Sequence, residues 1–206
     1  MSRGAAMLEV IDLRTSLFGP VSLSVAAGEC VAIMGASGSG KSLFLRALAD
    51  LDPNEGRVLL GDEDRDAMPA DRWRRKVAMV PAESGWWSDR VADHFEPGAV
   101  AGVLLEAFGL PDAMAWEVSR LSSGERHRLA LARALALKPA AILLDEPTAT
   151  LDEAATAQVE AVLRDELARG VPVVLVTHDP AQAKRMGSRL LTMERGRLHA
   201  RAEARA

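Results

Sequence analysis

The chain has 206 residues, of which 49% are hydrophobic and 26% charged, a composition typical of a folded domain rather than a disordered segment. Its formal net charge of −4 and its aromatic content of 4% argue against nucleic acid as a partner. No uncharged apolar stretch reaches the roughly 20 residues that cross a bilayer, and no charged start followed by an apolar run predicts a secretory signal. We therefore expect a soluble, cytosolic chain.

Cys30 is the only cysteine, which excludes an internal disulfide and a multi-cysteine zinc site. It lies in an apolar stretch, so we interpret it as a small core residue, with a redox role as the alternative.

The first part of the chain has strand-like patterns. Residues 21–25 alternate with a period of two, and Cys30–Met34 is an apolar run typical of a buried strand. A glycine-rich loop follows at 35–40, and an apolar-periodic helix is predicted over 43–49. Two further short strands are predicted at 57–61 and Val77–Val80.

The middle of the chain, residues 82–137, has helical spacing and no convincing strand. Strands then alternate with a helix again: a strand at 140–144, an amphipathic helix at 153–169 and a strand at 171–176. Such alternation favours a parallel sheet with right-handed crossovers. Residues after Leu198 are expected to be frayed helix or disorder.

We therefore predict an α/β fold with a mostly parallel sheet flanked by helices and a small antiparallel part near the N-terminus. One domain is expected over residues 1–206. Its α/β core would comprise 1–81 and 138–206, with 82–137 as an inserted helical subdomain.

The glycine-rich loop fits the phosphate-loop pattern G-x-x-x-x-G-K-[ST] at every fixed position. Glycines let successive backbone amides face a phosphate, and the following helix adds its positive end. Lys41 would neutralise the β- and γ-phosphates of a nucleotide, while the Ser42 hydroxyl would bind Mg²⁺. The alternative is a glycine-rich turn with a chance lysine. The predicted nucleotide-binding residues are Gly35, Ala36, Ser37, Gly38, Ser39, Gly40, Lys41, Ser42 and Leu43.

Two carboxylates and a histidine follow later buried strands. Asp145 could hold the metal through water, and Glu146 could polarise an attacking water as a general base. His178 ends another strand and precedes a helix-start signal, Asp179-Pro180. The alternatives are solvated loop acids and an ordinary strand-end histidine. Because carboxyl ends of parallel strands share one sheet edge, we expect these residues to lie beside the phosphate loop.

Ser122 and Glu125 form a capping-box pattern before a helix, but with the other segments they resemble the signature motif of ATP-binding cassette (ABC) ATPases. The family's motif order is phosphate loop, Q-loop, signature, acidic strand end, D-loop and switch histidine, and this chain has the same order. The resemblance covers roughly residues 7–198 and implies a P-loop NTPase core.

The resemblance implies an ATPase that works as a head-to-tail pair, each ATP lying between one subunit's phosphate loop and the other's signature. Glu146 would be the catalytic base, His178 would contact the γ-phosphate, and Asp152 in the D-loop would help join the two sites. The signature residues acting in trans would be Ser122, Ser123, Gly124 and Glu125. A capping serine and free amides at a helix start can bind an anion, which makes this role physically plausible.

The chain departs from the family pattern at several positions. Ala82 stands where the Q-loop glutamine is usual; alanine cannot bind Mg²⁺, although a water could, and Glu83 is a substitute one residue away. Ser123 replaces a common glycine, and Glu125 replaces the usual glutamine. Phe18 occupies the position of the aromatic ring that stacks on adenine, with an ordinary core phenylalanine as the alternative.

Two further segments have open interpretations. Trp86 and Trp87 follow the altered Q-loop, where this family meets its membrane subunit, so they are either an interface or part of the packing of the helical insert. The basic run at 72–76 is interpreted as a solvated face.

The leading hypothesis is the ATP-binding subunit of an ABC transporter, with ATP and Mg²⁺ as cofactors. Its partners would be a second copy of the chain and a separately encoded integral membrane subunit, at the cytoplasmic face of the membrane. The alternatives are a non-transport ABC ATPase, a weakly hydrolysing nucleotide switch and a small-molecule kinase. The transported substrate and its direction are not encoded in these motifs.

Overall fold

The computed structural model describes residues 6–96 and 99–200, which form two β-sheets with helices packed against them. The strands are β1 (Ala6–Arg14), β2 (Val21–Ala26), β3 (Cys30–Met34), β4 (Glu55–Leu60), β5 (Glu63–Asp64), β6 (Val77–Val80), β7 (Ala141–Asp145), β8 (Val173–Val176), β9 (Arg189–Glu194) and β10 (Arg197–Ala200). The α-helices are α1 (Lys41–Leu48), α2 (Ala70–Lys76), α3 (Ala99–Ala107), α4 (Ser123–Ala136), α5 (Glu153–Ala168) and α6 (Pro180–Met186).

The larger sheet has the strand order β10-β9-β3-β8-β7-β6. All neighbours in it are parallel except β10, which pairs antiparallel with β9. Every residue of β7 and β8 is buried, which explains their continuous apolar sequences, because helices cover both faces of such a sheet. The predicted α/β class with a mostly parallel sheet is confirmed.

The smaller sheet is antiparallel and has the order β2-β1-β4-β5. In β2, buried and exposed residues alternate, as the period-two sequence predicts for a strand with one face on the core. Side chains of this sheet share one hydrophobic core with α1 and with the main sheet, including Leu8, Phe44 and Val176.

Residues 82–137 contain α3, α4 and three short 3-10 helices (Val91–His94, Ala113–Ala115 and Val118–Arg120). Among the described residues of this segment, β pairing is limited to one isolated bridge between Arg90 and Glu117. A second core joins α3 and α4 to the main sheet, with Leu105 and Leu129 completely buried. The division into a core and an inserted subdomain stays a prediction.

The basic run at 72–76 lies on helix α2 and has two sides. Arg72, Arg74 and Arg75 are exposed, as expected for a solvated face. Trp73 is completely buried, and its indole Nε1–H donates to the carbonyl oxygen of Leu48 at 2.9 Å. Within this run, Trp73 therefore attaches α2 to the core.

Two other sequence expectations concern Cys30 and the C-terminal end. Cys30 is 1% exposed, and burial, together with the charge of Glu29, raises the pKa of its thiol to about 12, which fits a core residue. The expected fraying after Leu198 is wrong for His199 and Ala200, because both pair with β9. The remaining residues of that expectation, 201–206, lie outside the described residues.

Phe18 does not present its ring for stacking on a base. It is 5% exposed and lies edge to face with Phe44, at 5.9 Å between ring centroids. Its neighbour Leu17 is 71% exposed instead. The turn at 15–19 has its backbone tied to the β9–β10 turn, since Gly19 N donates to the carbonyl oxygen of Gly196, and this directs Phe18 inward. The expectation of an adenine-stacking ring is therefore corrected to the alternative, a core phenylalanine.

We expect Phe18→Ala to lower the free energy of unfolding by about 3–5 kcal/mol, because it removes a buried ring and leaves a cavity against Phe44. Leu17→Ala, a matched control on the exposed neighbour, is expected to change it by less than about 0.5 kcal/mol. Urea denaturation followed by circular dichroism measures both. Equal losses in the two variants would contradict this packing.

Candidate functional site

The candidate site lies at the carboxyl edge of the main sheet. Strands β3, β8 and β7 are adjacent there, and each is followed by a predicted functional segment. The phosphate loop 35–42 follows β3, His178 follows β8, and Asp145 and Glu146 end β7. Parallel pairing thus brings residues distant in sequence to one edge, as the sequence predicted.

Two glycines allow the phosphate loop to curl. Gly35 has φ = 149°, and a Cβ atom at this position would lie 2.3 Å from the carbonyl oxygen of Met193. Gly40 has φ = 107° and is the N-cap of α1, so no side chain of the cap residue covers the first helical amides. The loop is therefore held tightly against β9.

The Lys41 side chain is held inside the loop. It is 6% exposed, and its ammonium donates to the carbonyl oxygens of Gly35 at 2.8 Å and Ala36 at 2.9 Å. Burial lowers the pKa of Lys41, and the negative charges of Glu146 and Asp145 oppose that shift. The cation is thus fixed next to two carboxylates.

The other predicted loop residues offer polar groups of different accessibility. Ala36, Ser37 and Gly38 are exposed, and so is Ser42 in the first turn of α1. Ser39 has a buried hydroxyl without a hydrogen-bond partner among the described residues. Leu43, predicted to contact the nucleotide, is partly buried against the core.

Glu146 adopts a backbone conformation unusual for its residue type. Its φ is 52°, in the left-handed region, and its amide donates to the carbonyl oxygen of Val176 at 2.9 Å. Asp145, one residue earlier, is 5% exposed. Strained backbone of this kind is typical of functional sites, because the surrounding structure must maintain it.

His178 contacts Glu146, which lies 32 residues earlier in the sequence. The His178 amide donates to Glu146 Oε2 at 3.2 Å, and the imidazole Nε2 lies 3.2 Å from Glu146 Oε1. Glu146 Oε1 is buried, yet the imidazole is not aligned for a hydrogen bond to it. One carboxylate oxygen therefore remains available as an acceptor beside the histidine.

The signature segment begins helix α4 rather than lying at the sheet edge. Ser122 is its N-cap and forms the predicted capping box: the Glu125 amide donates to Ser122 Oγ at 3.2 Å, and the Ser122 amide donates to Glu125 Oε2 at 2.8 Å. That backbone bond is the main reason the pKa of Glu125 is lowered. Ser123 has ordinary helical backbone, so this position needs no glycine.

The D-loop segment lies against the start of α4. A Cβ atom on Gly124 would be 3.3 Å from Leu151 Cδ2. Asp152 is the N-cap of α5, and its carboxylate accepts a hydrogen bond from the Ala155 amide at 2.8 Å. Asp152 itself is exposed.

The altered Q-loop follows β6, and both Ala82 and Glu83 are exposed. Beyond it, Trp87 is 68% exposed, whereas Trp86 is partly buried and packs against the second core. Each of the two alternative interpretations therefore fits one tryptophan.

Sequence reasoning missed two residues that organise this tryptophan pair. The Arg133 guanidinium lies 5.1 Å from the Trp86 ring centroid and 4.7 Å from that of Trp87. His94 Nε2 accepts from the amides of Trp87 at 3.0 Å and Ser88 at 3.2 Å. Arg133 is 46 positions beyond the second tryptophan, so no local pattern connects them.

A cleft of about 710 Å³ opens beside this cluster. Its lining includes Arg74, Met79, Trp87, Arg133 and Leu137. Burial lowers the pKa of Arg133.

Known proteins are similar to most of this chain. The family model described as ABC transporter matches residues 18–149. The lipoprotein-releasing system ATP-binding protein LolD of Shewanella sp. strain MR-7 is 40% identical, covering 93% of this chain and 91% of that protein. The Fe(3+) ions import ATP-binding protein FbpC of Streptomyces coelicolor is 37% identical over 86% of this chain, which spans only 55% of the FbpC length.

Solved structures share the fold. An ATP-binding subunit of an ABC transporter has a TM-score of 0.84 at 24% identity, covering 95% of this chain and 89% of that one. A dimeric, post-hydrolysis state of the ATP-binding cassette MJ0796 bound to ADP and Pi has a TM-score of 0.78 at 25% identity, covering 97% and 100%. The chain therefore belongs to the ABC transporter family and is one of its ATP-binding, ATP-hydrolysing subunits.

Proposed function

We propose that this chain hydrolyses ATP with Glu146 and His178 at the edge beside the phosphate loop, and that hydrolysis drives transport through a separate membrane subunit. The observation that carries the proposal is the convergence of a buried lysine, a strained carboxylate and a histidine. Lys41 interacts electrostatically with Glu146, and Glu146 contacts His178. Phosphoryl transfer to water requires a cation, a proton acceptor and a second polar group, and these three residues supply them.

The phosphate loop would hold the phosphates of ATP. The exposed residues of the loop leave it accessible to a ligand. The first turn of α1 is not capped by a side chain, so its backbone amides can bind an anion. Lys41 uses two of its three ammonium protons for loop carbonyls, which leaves one for a phosphate oxygen. Because Lys41 is already fixed, binding costs little side-chain entropy.

Glu146 would take a proton from the attacking water as a general base. Its Oε1 has no hydrogen-bond partner among the described residues, so its lone pairs are uncommitted, and a movement that exposes this buried atom would let it accept a hydrogen bond from water. His178, whose side chain is 52% exposed, would donate to the γ-phosphate from the other side of the carboxylate.

The residues at this edge also fit Mg²⁺. A hydroxyl at Ser42 and a carboxylate at Asp145 are oxygen donors of the kind Mg²⁺ prefers, and Asp145 is 5% exposed at the end of β7. Ser42 would bind the ion directly and Asp145 through water. Bound Mg²⁺ neutralises phosphate charge.

The signature segment Ser122–Glu125 would act on the ATP of a second copy. It begins α4, whose packing partners are α3 and β6, while the phosphate loop begins α1. Ser122 and Ser123 are exposed, so a partner can reach the helix start. We propose a head-to-tail homodimer in which Asp152, also exposed, contacts the partner.

The cleft beside Trp87 is the proposed docking site of the membrane subunit. Trp87 is 68% exposed, and among the described residues Arg133 has no carboxylate partner within ion-pair distance. An exposed tryptophan next to a cation suits a partner segment with an apolar and an acidic side chain. None of the described helices is long and apolar enough to cross a membrane. We therefore propose a peripheral position at the cytoplasmic face of the membrane.

A nucleotide-dependent switch is a second candidate function. Ala82 favours it, because alanine at this position cannot bind a metal ion or polarise water.

We expect purified chain to hydrolyse Mg-ATP and Glu146→Gln to lower kcat by about 100-fold or more, because the amide cannot accept the proton. Glu106→Gln, at an exposed acid on helix α3, is the matched control and should keep kcat within about 2-fold, since it lies outside the segments that follow the strands of this edge. Steady-state phosphate release measures both. Tight ATP binding without turnover in the unsubstituted chain would favour the switch.

We expect the tagged chain to co-purify with a polytopic membrane protein from detergent-solubilised membranes. Trp87→Ala should weaken that association about 30-fold, a typical loss for an interface tryptophan. Val103→Ala, at a side chain 70% exposed on α3 outside the cleft lining, should leave it unchanged. Recovery of soluble partners alone, or equal losses in both variants, would contradict the docking site.

A further inference from the structure

Helix α6 directly follows His178 and is too short to be stable alone. It has seven residues, and isolated helices shorter than about 12 residues are marginal in water. Asp179 caps it, accepting a hydrogen bond from the Ala181 amide at 2.8 Å. Its position, and with it that of His178, must therefore come from contacts with other elements.

One of these contacts is an ion pair with α5 in which the carboxylate is buried. Glu160 on α5 is 3% exposed, and Arg185 on α6 donates to both of its carboxylate oxygens at 2.7–3.1 Å. The hydrogen bond to Glu160 raises the pKa of Arg185. Arg185 also lies 3.7 Å from Asp179, the residue after His178. Two-point contact of this kind fixes orientation as well as distance.

A second contact joins α6 to the segment after Glu146. Gln182 is 1% exposed, and its Nε2 donates to Thr148 Oγ1 at 2.7 Å. Thr148 is two residues beyond Glu146. Helix α6 is thus attached on one side to α5 and on the other to the chain that carries the proposed base.

The contact between His178 and Glu146 depends on where α6 lies. The imidazole Nε2 is 3.2 Å from Glu146 Oε1, and the two residues follow adjacent strands, β8 and β7. His178 lies between the end of β8 and the start of α6, so a shift of α6 would move the imidazole relative to the carboxylate. Displacements of about 1 Å at reacting groups can cost 100-fold in rate.

We propose that Glu160 and Arg185 are positioning residues for ATP hydrolysis, which hold His178 against Glu146 by fixing α6 on α5. This inference rests on the function proposed above for Glu146 and His178. Because Asp152 is the N-cap of α5, the same ion pair also connects the D-loop to His178. A partner that contacts Asp152 would therefore change the position of the His178 imidazole.

Arg164 provides a control within the same cluster. It donates to Glu160 Oε2 at 2.9 Å, but it lies on α5, four residues along from Glu160. Its removal takes one arginine from the same carboxylate and leaves α6 attached. If the two arginines served only to compensate the buried charge of Glu160, removing either one would have a similar effect.

The experiment compares Arg185→Gln, Arg185→Lys and Arg164→Gln in the full chain. We expect Arg185→Gln to lower kcat about 10-fold or more with KM for ATP within about 2-fold, since positioning affects the reacting groups. Arg164→Gln should change kcat less than about 2-fold, and Arg185→Lys, which retains the charge, should recover part of the loss. Urea denaturation of each variant verifies that it is folded under the assay conditions.

A second measurement needs no activity. The chain has four histidines, so the imidazole C–H signals can be resolved by NMR, and His178→Ala assigns one of them. We expect the imidazole C–H chemical shifts of His178 to move in Arg185→Gln, because the ring changes its surroundings, and to stay in place in Arg164→Gln and Arg185→Lys.

Equal kcat losses in Arg185→Gln and Arg164→Gln would overturn the inference, as would a lower unfolding free energy in Arg185→Gln with kcat and the His178 chemical shifts unchanged. A chain that hydrolyses no ATP would instead contradict the proposed function, while the His178 chemical shifts would still test the attachment of α6.

Discussion

Parallel hydrogen bonding between β3, β8 and β7 is the constraint on which the rest of the molecule depends. The register pairs Val176 with Ile33 on one side and with Asp145 on the other, so the three strands end level. Connections that leave this edge must carry whatever chemistry the chain performs, because the strands themselves are buried. Backbone pairing makes neighbours of the phosphate loop, the acidic pair and the histidine. Contacts between their side chains are not needed to bring these segments together.

The sequence predicted those parts of the site whose signals are local. A buried strand, a glycine loop and a helix start adjoin in sequence around Lys41, and Asp145-Glu146 directly ends an apolar strand. Phe18 was misassigned because the inward direction of its ring depends on Gly196 and Phe44, which are distant in sequence. The ion pair between Glu160 and Arg185 had no sequence signal, since its partners lie 25 residues apart on separate helices.

Rigid and adjustable parts of the molecule are distributed unequally around the site. Lys41 and Glu146 are held by backbone atoms of the sheet and its loops, through Gly35 and Val176. His178 instead depends on a short helix whose position is set by side chains. Side-chain contacts of a short helix can rearrange at lower cost than packed strands.

The capping box at the start of α4 limits how firmly an anion can be held there. The Ser122 hydroxyl has one proton, and it is donated to the carboxylate of Glu125 at 2.9 Å. A phosphate oxygen arriving at this serine competes with that carboxylate for the proton and must lie beside its negative charge. The net gain in binding free energy is the difference between the Ser122–phosphate and the Ser122–Glu125 hydrogen bonds. This difference is far smaller than the gain from a hydroxyl that has no partner. A second copy attached through this serine would therefore be released readily, and the capping box would form again once the anion leaves.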